Sequence, residues 1–245
     1  MTLGPLHVQA SDETLDDLRS RVAGVRAVLF DLDGTLIDTV ELIRLSFRHA
    51  TRQVLGRSLP DAVTMSGVGR PLMQQFREMA PGHEDELLSV YRAFNMVHHD
   101  ELARAYPGTL ATLRALAALG TPMAVVTSKG MQAASHGLAT FGLAGFFDAL
   151  VTTDDVERHK PDPLPLRRAG ELLGVDIRYC MYVGDSPHDM QAALAADAVA
   201  VAALWGAFTR SEVLEPGPGL ALERIEDVLP LLHGDVERFG VHATQ

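Results

Sequence analysis

Four aspartates in two short segments are the residues best suited to do chemistry together. Asp31 and Asp33 stand in the sequence Asp-Leu-Asp-Gly-Thr. Asp185 and Asp189 stand in Gly-Asp-Ser-Pro-His-Asp, and each segment follows an apolar run typical of a buried strand. Because neighbouring carboxylates repel one another strongly away from water, such a cluster requires a cation. Oxygen ligands without a cysteine or histidine cluster favour Mg²⁺.

A hydroxyl and an ammonium group belong to two further predicted strand ends. Thr127 closes one apolar run, and Lys160 lies in the loop after another. Together with the backbone N–H groups of the turn at Gly34, they are suited to bind the oxygens of a phosphoryl group. Only Lys129 and Lys160 are lysines among the 21 basic residues. Since a compact ammonium and a planar guanidinium differ in a tight site, each lysine marks a position where arginine is a poor substitute.

Strands and helices alternate along most of the chain and position these residues. Apolar, β-branched runs predict five strands: Val25–Asp31, Met123–Thr127, Ala149–Thr152, Tyr179–Gly184 and Ala198–Ala202. The helical pattern predicts six helices: Ser11–Val22, Thr109–Leu119, Met131–Phe141, Pro165–Leu173, His188–Ala196 and Ile225–Leu232. The alternation favours an α/β fold with a doubly wound parallel sheet. Ligands of such sheets bind beyond the carboxyl ends of the strands, where the residues above are expected.

The stretch from Thr39 to about Leu102 breaks this alternation. It contains no strand run, and its three predicted helices are Glu41–Leu55, Pro71–Met79 and Glu84–Ala103. We therefore expect an inserted all-helical domain at residues 38–104 and an α/β core at residues 1–37 and 105–245. Hinges are expected near Ile37–Val40 and Arg104–Gly108. The chain after His233 is expected to be a frayed tail.

The motifs in their order along the chain closely resemble the haloacid dehalogenase superfamily of phosphohydrolases. The order is Asp-Leu-Asp-Gly-Thr, then Thr-Ser, then Lys-Pro-Asp-Pro, then Gly-Asp-Ser-Pro-His-Asp, and the resemblance extends from about Arg26 to Leu232. A helical insertion after the first motif is similar to the subfamily with a helical cap, which includes phosphoglycolate phosphatases, β-phosphoglucomutases and a bacterial pyrophosphatase. The stretches most similar to that pyrophosphatase are Tyr91–Asn95, His98–Leu102 and Thr153–Glu157. The resemblance implies a Rossmann-like core, Mg²⁺, and pyrophosphate or a small phosphorylated metabolite as substrate.

The resemblance also implies a role for each residue of the first motif. Asp31 would be the nucleophile and would form an aspartyl-phosphate. Asp33 would protonate the leaving oxygen, later deprotonate the hydrolytic water, and contact Mg²⁺ through its backbone carbonyl. Gly34 would allow the sharp turn that exposes Asp33.

The later motifs carry the implied phosphate and metal ligands. Thr127 and Lys160 would hold phosphoryl oxygens, and Lys160 would also hold Asp31 in place. Asp185 would bind the metal, and Asp189 would bind it or orient its waters. On its own, Asp189 is also a plausible cap of the helix that follows.

Other residues admit both a functional and a structural interpretation. Ser128 and Lys129 could bind phosphate, but a role in shaping the loop before the next helix is favoured. Arg70 could reach a second anionic group of the substrate or remain solvated. Adjacent residues His98 and His99 point about 100° apart on a helix, so a packing or surface role is favoured over a shared metal ion.

Three other functions compete with phosphate hydrolysis. Haloalkanoic acid dehalogenases use the first aspartate, but Asp33 argues against this chemistry because they lack the second carboxylate. A β-phosphoglucomutase keeps both aspartates and returns the phosphoryl group to a sugar phosphate. A non-catalytic phosphate-binding module would be expected to have lost a motif residue, and none is missing. The mutase and the binding module remain open alternatives.

Composition limits the class of protein and its partners. With 245 residues, 47% of them hydrophobic and 22% charged, the chain is typical of a folded globular protein. A net charge of -11 opposes nucleic-acid binding. Because the longest apolar stretch is about half a membrane span and no signal peptide is recognisable, we expect a cytosolic monomer or homodimer without membrane partners. Cys180 lies in an apolar run and is expected to be a buried structural thiol.

Overall fold

The computed structural model describes residues 14–241. Eight strands occur in this part of the chain: β1 (Ala27–Phe30), β2 (Ile37–Asp38), β3 (Arg104–Ala105), β4 (Met123–Val126), β5 (Ala149–Val151), β6 (Cys180–Gly184), β7 (Val199–Ala203) and β8 (Leu220–Leu222). Its α-helices are α1 (Leu15–Ala23), α2 (Val40–Leu55), α3 (Asp61–Thr64), α4 (Leu72–Met79), α5 (Glu84–Leu102), α6 (Thr109–Ala118), α7 (Met131–Thr140), α8 (Leu164–Leu173), α9 (Pro187–Ala196), α10 (Arg210–Leu214), α11 (Val228–Leu232) and α12 (Val236–Phe239).

Six strands form one parallel sheet in the spatial order β5-β4-β1-β6-β7-β8. From β1 the chain continues to β4 on one side of it and only later to β6 on the other. The strand order therefore reverses at β1, which is where doubly wound sheets bind ligands. This arrangement confirms the predicted α/β fold with a doubly wound parallel sheet.

Both faces of the sheet are covered by helices. Along β1, Val28 and Phe30 join the apolar cluster on one face, whereas Ala27 and Leu29 join the cluster on the other. All four side chains are fully buried, as expected when successive residues of a strand point to opposite faces. The continuous apolar run in the sequence thus reflects burial on two sides.

Helices α2 to α5 form the predicted helical insertion, which we call the cap. The cap has an apolar centre of its own, in which the rings of Phe47, Phe76 and Tyr91 meet edge to face. Their centroids are 4.9–5.9 Å apart, a favourable geometry for aromatic pairs. The insertion can therefore pack its own side chains without the sheet.

The chain leaves and re-enters the core through a small antiparallel sheet of β2 and β3. Ile37 pairs with Ala105, and Asp38 pairs with Arg104. The expected domain limits at residues 37/38 and 104/105 fall within these two strands. The expected hinge segments therefore lie side by side and are joined by backbone hydrogen bonds. Their movement stays a prediction.

A helix lies near each end of the described residues, α1 at one end and α12 at the other. The predicted start of the first helix, Ser11, lies outside the described residues; α1 is capped by Thr14, whose side chain and backbone exchange hydrogen bonds with Asp17. The expected frayed tail after His233 is wrong for the described residues, because α12 forms there and buries Val236 and Phe239 against the core.

Strand β8 and helix α10 were missed by sequence reasoning. β8 directly follows a Pro-Gly-Pro-Gly stretch and has three residues, which are too few to show the alternation of apolar and polar residues that predicts a strand. Helix α10 has five residues and is set by a capping box between Thr209 and Glu212. Neither element contributes side chains to the site described below.

Candidate active site

The reversal of strand order at β1 brings the predicted site residues together. Asp31 follows β1, Thr127 follows β4 and Asp185 follows β6, so the carboxyl ends of three adjacent strands supply one residue each. These residues line a cavity of about 590 Å³ between the core and the cap. The sequence motifs are far apart along the chain but meet at one sheet edge.

Lys160 is the buried cation of the site. Its Nζ lies 2.9 Å from Asp31 Oδ1 and 2.7 Å from Asp189 Oδ1, and it also donates to the Tyr182 hydroxyl at 3.0 Å. Only 2% of Lys160 is exposed. Burial alone would lower its pKa, but the two carboxylates outweigh this effect, so the pKa of Lys160 lies above its usual value. The ammonium is therefore charged and fixes Asp31 in position.

Burial destabilises the anionic forms of Asp31 and Asp185. Burial raises the pKa of Asp31 to about 7, although the Lys160 ammonium acts in the opposite direction. Burial and repulsion by Asp189 and Asp31 raise the pKa of Asp185 well above its usual range. Oxygen atoms of Asp31, Asp185 and Asp189 lie within 4.8 Å of one another. A hard divalent cation fits this donor set, because it would relieve the repulsion among the buried carboxylates.

Asp189 serves as both a helix cap and a counter-ion. Its Oδ2 accepts from the Ser186 amide at 3.0 Å and from the Ser186 hydroxyl at 2.6 Å, which caps α9. Its Oδ1 accepts from Lys160 and from the Tyr182 hydroxyl. Burial raises its pKa, but Lys160 and these hydrogen bonds outweigh burial, so the pKa of Asp189 lies below its usual value. Both oxygens are thus engaged by protein donors.

Asp185 is held between two glycines. A Cβ at Gly34 or at Gly206 would lie 2.2 Å from Asp185 Oδ2, so neither position has room for a side chain. Gly34 also adopts a φ of 79°, which agrees with the predicted sharp turn. Asp185 Oδ2 accepts from the Ala207 amide at 2.8 Å, and Thr35 Oγ1 donates to Oδ1 at 3.3 Å.

Sequence reasoning missed the loop from Trp205 to Ala207. The Trp205 ring N–H donates to the Thr35 carbonyl at 3.0 Å, and the loop thereby connects the first and last motifs. Thr35 belongs to the first motif, but the loop has no sequence pattern that predicts its contact with Asp185. The hydrogen bond of Trp205 joins residues that are 170 positions apart, so it follows from the tertiary structure alone.

Asp33 is paired with the other lysine of the chain, Lys129. Lys129 Nζ lies 2.7 Å from Asp33 Oδ1, and Thr39 Oγ1 donates to the same oxygen at 2.7 Å. The favoured interpretation of Lys129 as a loop-shaping residue does not include this ion pair. The scarcity of lysine was the available signal: Lys160 contacts Asp31 and Lys129 contacts Asp33. Each lysine therefore pairs with one aspartate of the first motif.

The cap contacts the loop after β4 directly. The Ser128 hydroxyl donates to the Gly69 carbonyl at 2.6 Å, so this hydroxyl holds the cap. Thr127, by contrast, accepts from the Lys129 amide at 3.2 Å and lies on the cavity wall. The cap therefore touches the sheet edge at this hydrogen bond.

Arg70 also lines the cavity, but its charge is already paired. Its two terminal nitrogens lie 3.0 and 2.9 Å from the two carboxylate oxygens of Glu78. This bidentate ion pair within the cap competes with any anion that the guanidinium would bind.

His98 and His99 lie outside the cavity lining. The ring of His98 packs on Phe94 with centroids 4.2 Å apart. His99 is buried, and its Nδ1 lies 2.9 Å from Asp100 Oδ1, an oxygen that His136 of α7 also contacts. This cluster joins the end of α5 to α7, consistent with the expected packing role.

Comparison with known proteins agrees with this arrangement. The family model described as haloacid dehalogenase-like hydrolase matches residues 28–203. The chain belongs to the haloacid dehalogenase-like hydrolases. It is 36% identical over 208 residues to the pyrophosphatase PpaX of Bacillus mycoides, covering 85% of this chain and 97% of that protein. It is 40% identical over 166 residues to PpaX of Halalkalibacterium halodurans, covering 68% of this chain and 77% of that protein.

Solved structures resemble this haloacid dehalogenase-like hydrolase over most of their length. A predicted phosphoglycolate phosphatase from Haemophilus somnus 129pt has a TM-score of 0.74 at 26% identity, covering 85% of this chain and 98% of that one. A hydrolase from Pseudomonas syringae has the same fold, with a TM-score of 0.78 at 24% identity and coverage of 86% and 99%. No helix among residues 14–241 of this hydrolase is long and apolar enough to cross a membrane.

Proposed function

We propose that this hydrolase is a Mg²⁺-dependent phosphohydrolase that forms an aspartyl-phosphate on Asp31. Its substrate is pyrophosphate or a small phosphate monoester such as 2-phosphoglycolate. The single observation that carries the proposal is the position of Asp31, which is held by Lys160 at the cavity wall next to Asp33. The PpaX relatives support pyrophosphate as the first substrate to test.

The proposed reaction has two displacements at phosphorus. In the first, an Asp31 oxygen bonds to phosphorus, the bond to the leaving oxygen breaks, and Asp33 gives that oxygen a proton. In the second, water loses a proton to Asp33 and bonds to phosphorus as the bond to Asp31 breaks. Inorganic phosphate leaves, and both aspartates return to their starting states.

Hydrogen bonds from Thr39 and Lys129 support the role of Asp33. Both reach the same oxygen, Oδ1, at 2.7 Å. They fix the orientation of the carboxyl group, and no side-chain donor of the described residues engages its other oxygen. A fixed orientation matters because a general acid must lie within hydrogen-bond reach of the leaving oxygen.

Mg²⁺ would be held by Asp31 and Asp185, with the Asp33 backbone carbonyl as a third protein ligand. When bound, the ion supplies positive charge that offsets the phosphoryl oxygens and the buried carboxylates. Asp189 completes the acidic cluster, and its engaged oxygens favour a role in positioning Lys160. Gly34 keeps space open beside Asp185.

The phosphoryl oxygens would be bound by groups on the strands and loops next to Asp31. Thr127 offers its hydroxyl from the end of β4, and Lys160 offers its positive charge beside Asp31. Ser128 would contribute through its backbone, since its hydroxyl is bonded to Gly69. Arg70 would have to exchange Glu78 for substrate before it could bind an anion.

The test is phosphate release from pyrophosphate, 2-phosphoglycolate and several sugar phosphates, with and without Mg²⁺. We expect Mg²⁺-dependent release and a preference for pyrophosphate or 2-phosphoglycolate in kcat/KM. Isomerisation of a sugar phosphate without free phosphate would instead establish a β-phosphoglucomutase. No Mg²⁺-dependent product from any of these compounds would favour the phosphate-binding module.

A further inference from the structure

The ion pair between Lys129 and Asp33 lies where the leaving group of the proposed reaction must sit. The side chains are only 13% and 15% exposed, and both residues line the cavity between core and cap. Resting on the proposed function, we propose that Lys129 binds an anionic group on the leaving group itself. The selected substrates are therefore phosphate compounds whose leaving group carries a second phosphate or a carboxylate.

The position of Lys129 follows from the role of Asp33. A general acid lies about 2.6–3.2 Å from the oxygen that it protonates. Lys129 Nζ is 2.7 Å from Asp33 Oδ1, so the Asp33 carboxyl group alone connects the ammonium to the leaving oxygen. An anionic group one or two bonds beyond that oxygen can contact the ammonium directly.

Lys129 has donors left for such an anion. An ammonium carries three N–H donors, and Asp33 is the one acceptor that the described residues offer to Lys129 Nζ. A substrate anion can therefore bind without displacing Asp33. Because both side chains are largely removed from solvent, the attraction is weakly screened.

The other cations around the cavity are less suited to this task. Lys160 is fixed between Asp31 and Asp189, and Arg70 is paired with both oxygens of Glu78. Arg92 lies on the cap and is exposed, so water screens its charge. Burial lowers the pKa of His159, which favours its neutral form. Lys129 remains as the desolvated cation beside Asp33.

Two pairs of substrates test the inference. In 2-phosphoglycolate and 2-hydroxyethyl phosphate, a carboxylate is exchanged for a neutral CH₂OH group while the leaving oxygen stays on a CH₂ carbon. Pyrophosphate and methyl phosphate form the second pair. We expect Lys129→Met to lower kcat/KM for each anionic member at least about 10-fold more than for its neutral partner, because loss of the hydrogen bond to Asp33 affects both members alike. Lys129→Arg should retain part of the preference, since it keeps the charge.

Arg92→Met is the matched control, because it removes a cation from the same cavity lining. We expect it to change every kcat/KM less than about 3-fold, since exposed charges contribute little. An equal loss for charged and neutral leaving groups in Lys129→Met would overturn the inference, because Lys129 would then act only through Asp33. An unchanged preference, or an equal effect of Arg92→Met, would also overturn it.

A binding measurement separates this inference from the proposed function. In an Asp31→Asn background, calorimetry should show that Lys129→Met weakens pyrophosphate binding at least about 10-fold. Binding of inorganic phosphate, which has no leaving group, should change less than about 3-fold. Equal weakening of both ligands contradicts the inference. If the wild-type enzyme releases no phosphate from any substrate, the proposed function fails, whereas this binding comparison still decides the role of Lys129.

Discussion

The Ser128 hydroxyl is bonded to the Gly69 carbonyl, and this contact attaches the loop after β4 to the cap. Thr127 is the neighbouring residue on that loop and the proposed phosphate ligand. Movement of the cap away from the sheet would therefore break a hydrogen bond next to this proposed ligand. Closure of the cap would thus be coupled through this contact to the order of the loop after β4.

Gly69→Ala should impair closure. Gly69 has a φ of 94°, and a Cβ there would lie 2.7 Å from Ser186 Oγ, which is held by Asp189. Gly82→Ala is the matched control, because Gly82 is in the cap, has a φ of 87° and has open space around a Cβ. Each variant should lose about 1–2 kcal/mol of unfolding free energy, because a residue with a Cβ is unfavourable in the left-handed backbone conformation. Only Gly69→Ala should lower kcat/KM at least about 10-fold; similar activities would show that this cap contact is dispensable.

Asp31→Asn should abolish turnover while preserving the fold. An amide cannot serve as the nucleophile, but it can still accept from Lys160, and Asp189 still neutralises the ammonium. We expect kcat to fall at least about 1,000-fold, with an unchanged circular dichroism spectrum and a melting temperature within a few degrees of wild type. Residual activity above about a thousandth of wild type would show that Asp31 is not the nucleophile.

Asp185→Asn should stabilise the metal-free protein. The folded-state pKa of Asp185 is raised by burial and by repulsion from Asp189 and Asp31, so the folded state binds its proton more tightly than the unfolded state. This penalty is absent below the unfolded pKa of about 3.9 and grows as the pH rises above it. At pH 7.5 without metal, the variant should melt at least about 2 °C higher than wild type.

Mg²⁺ should reverse this order. A cation that binds only the folded state stabilises it, and the variant lacks one of its proposed ligands. Mg²⁺ should therefore raise the melting temperature of wild type and leave that of Asp185→Asn nearly unchanged. Scanning fluorimetry over a Mg²⁺ titration measures both. Equal Mg²⁺ shifts in both proteins would place the metal elsewhere.

Cys180 should be inert in the folded protein. It is fully buried, and burial raises the pKa of its thiol to about 12. Relative to an ordinary thiol with a pKa of 9.0, the thiolate fraction at pH 8 is roughly a thousandfold smaller. A thiol-specific disulfide reagent should react with guanidinium-unfolded protein within minutes and with native protein at least about 100-fold more slowly. Fast native reaction would contradict the burial.

The parts of the fold that were predictable have local causes. The strand β1 is a short apolar run that ends at Asp31, and its burial on both faces follows from parallel packing. The convergence of Thr127 and Asp185 on Asp31 follows from strand order alone. The helical cap could be inferred because residues between Thr39 and Leu102 show helical periodicity without a strand pattern.

The remaining features depend on contacts between distant residues. Lys129 is 96 positions from Asp33, and no local pattern shows which acceptor a loop lysine reaches. The same holds for Gly206, because the need for glycine at this position comes from Asp185 beside it. Tail packing was missed because α12 has four residues and gains its stability from burial of Val236 and Phe239.

Lys129 and Lys160 are the two side chains with primary amines, and each is paired with an aspartate of the first motif. Lys160 is almost fully enclosed, whereas Lys129 borders the open cavity. Side-chain acylation by a small amine-reactive reagent would therefore be confined to the active site. Mass spectrometry of a single acyl adduct on Lys129 could report occupancy of the cavity without any engineered label.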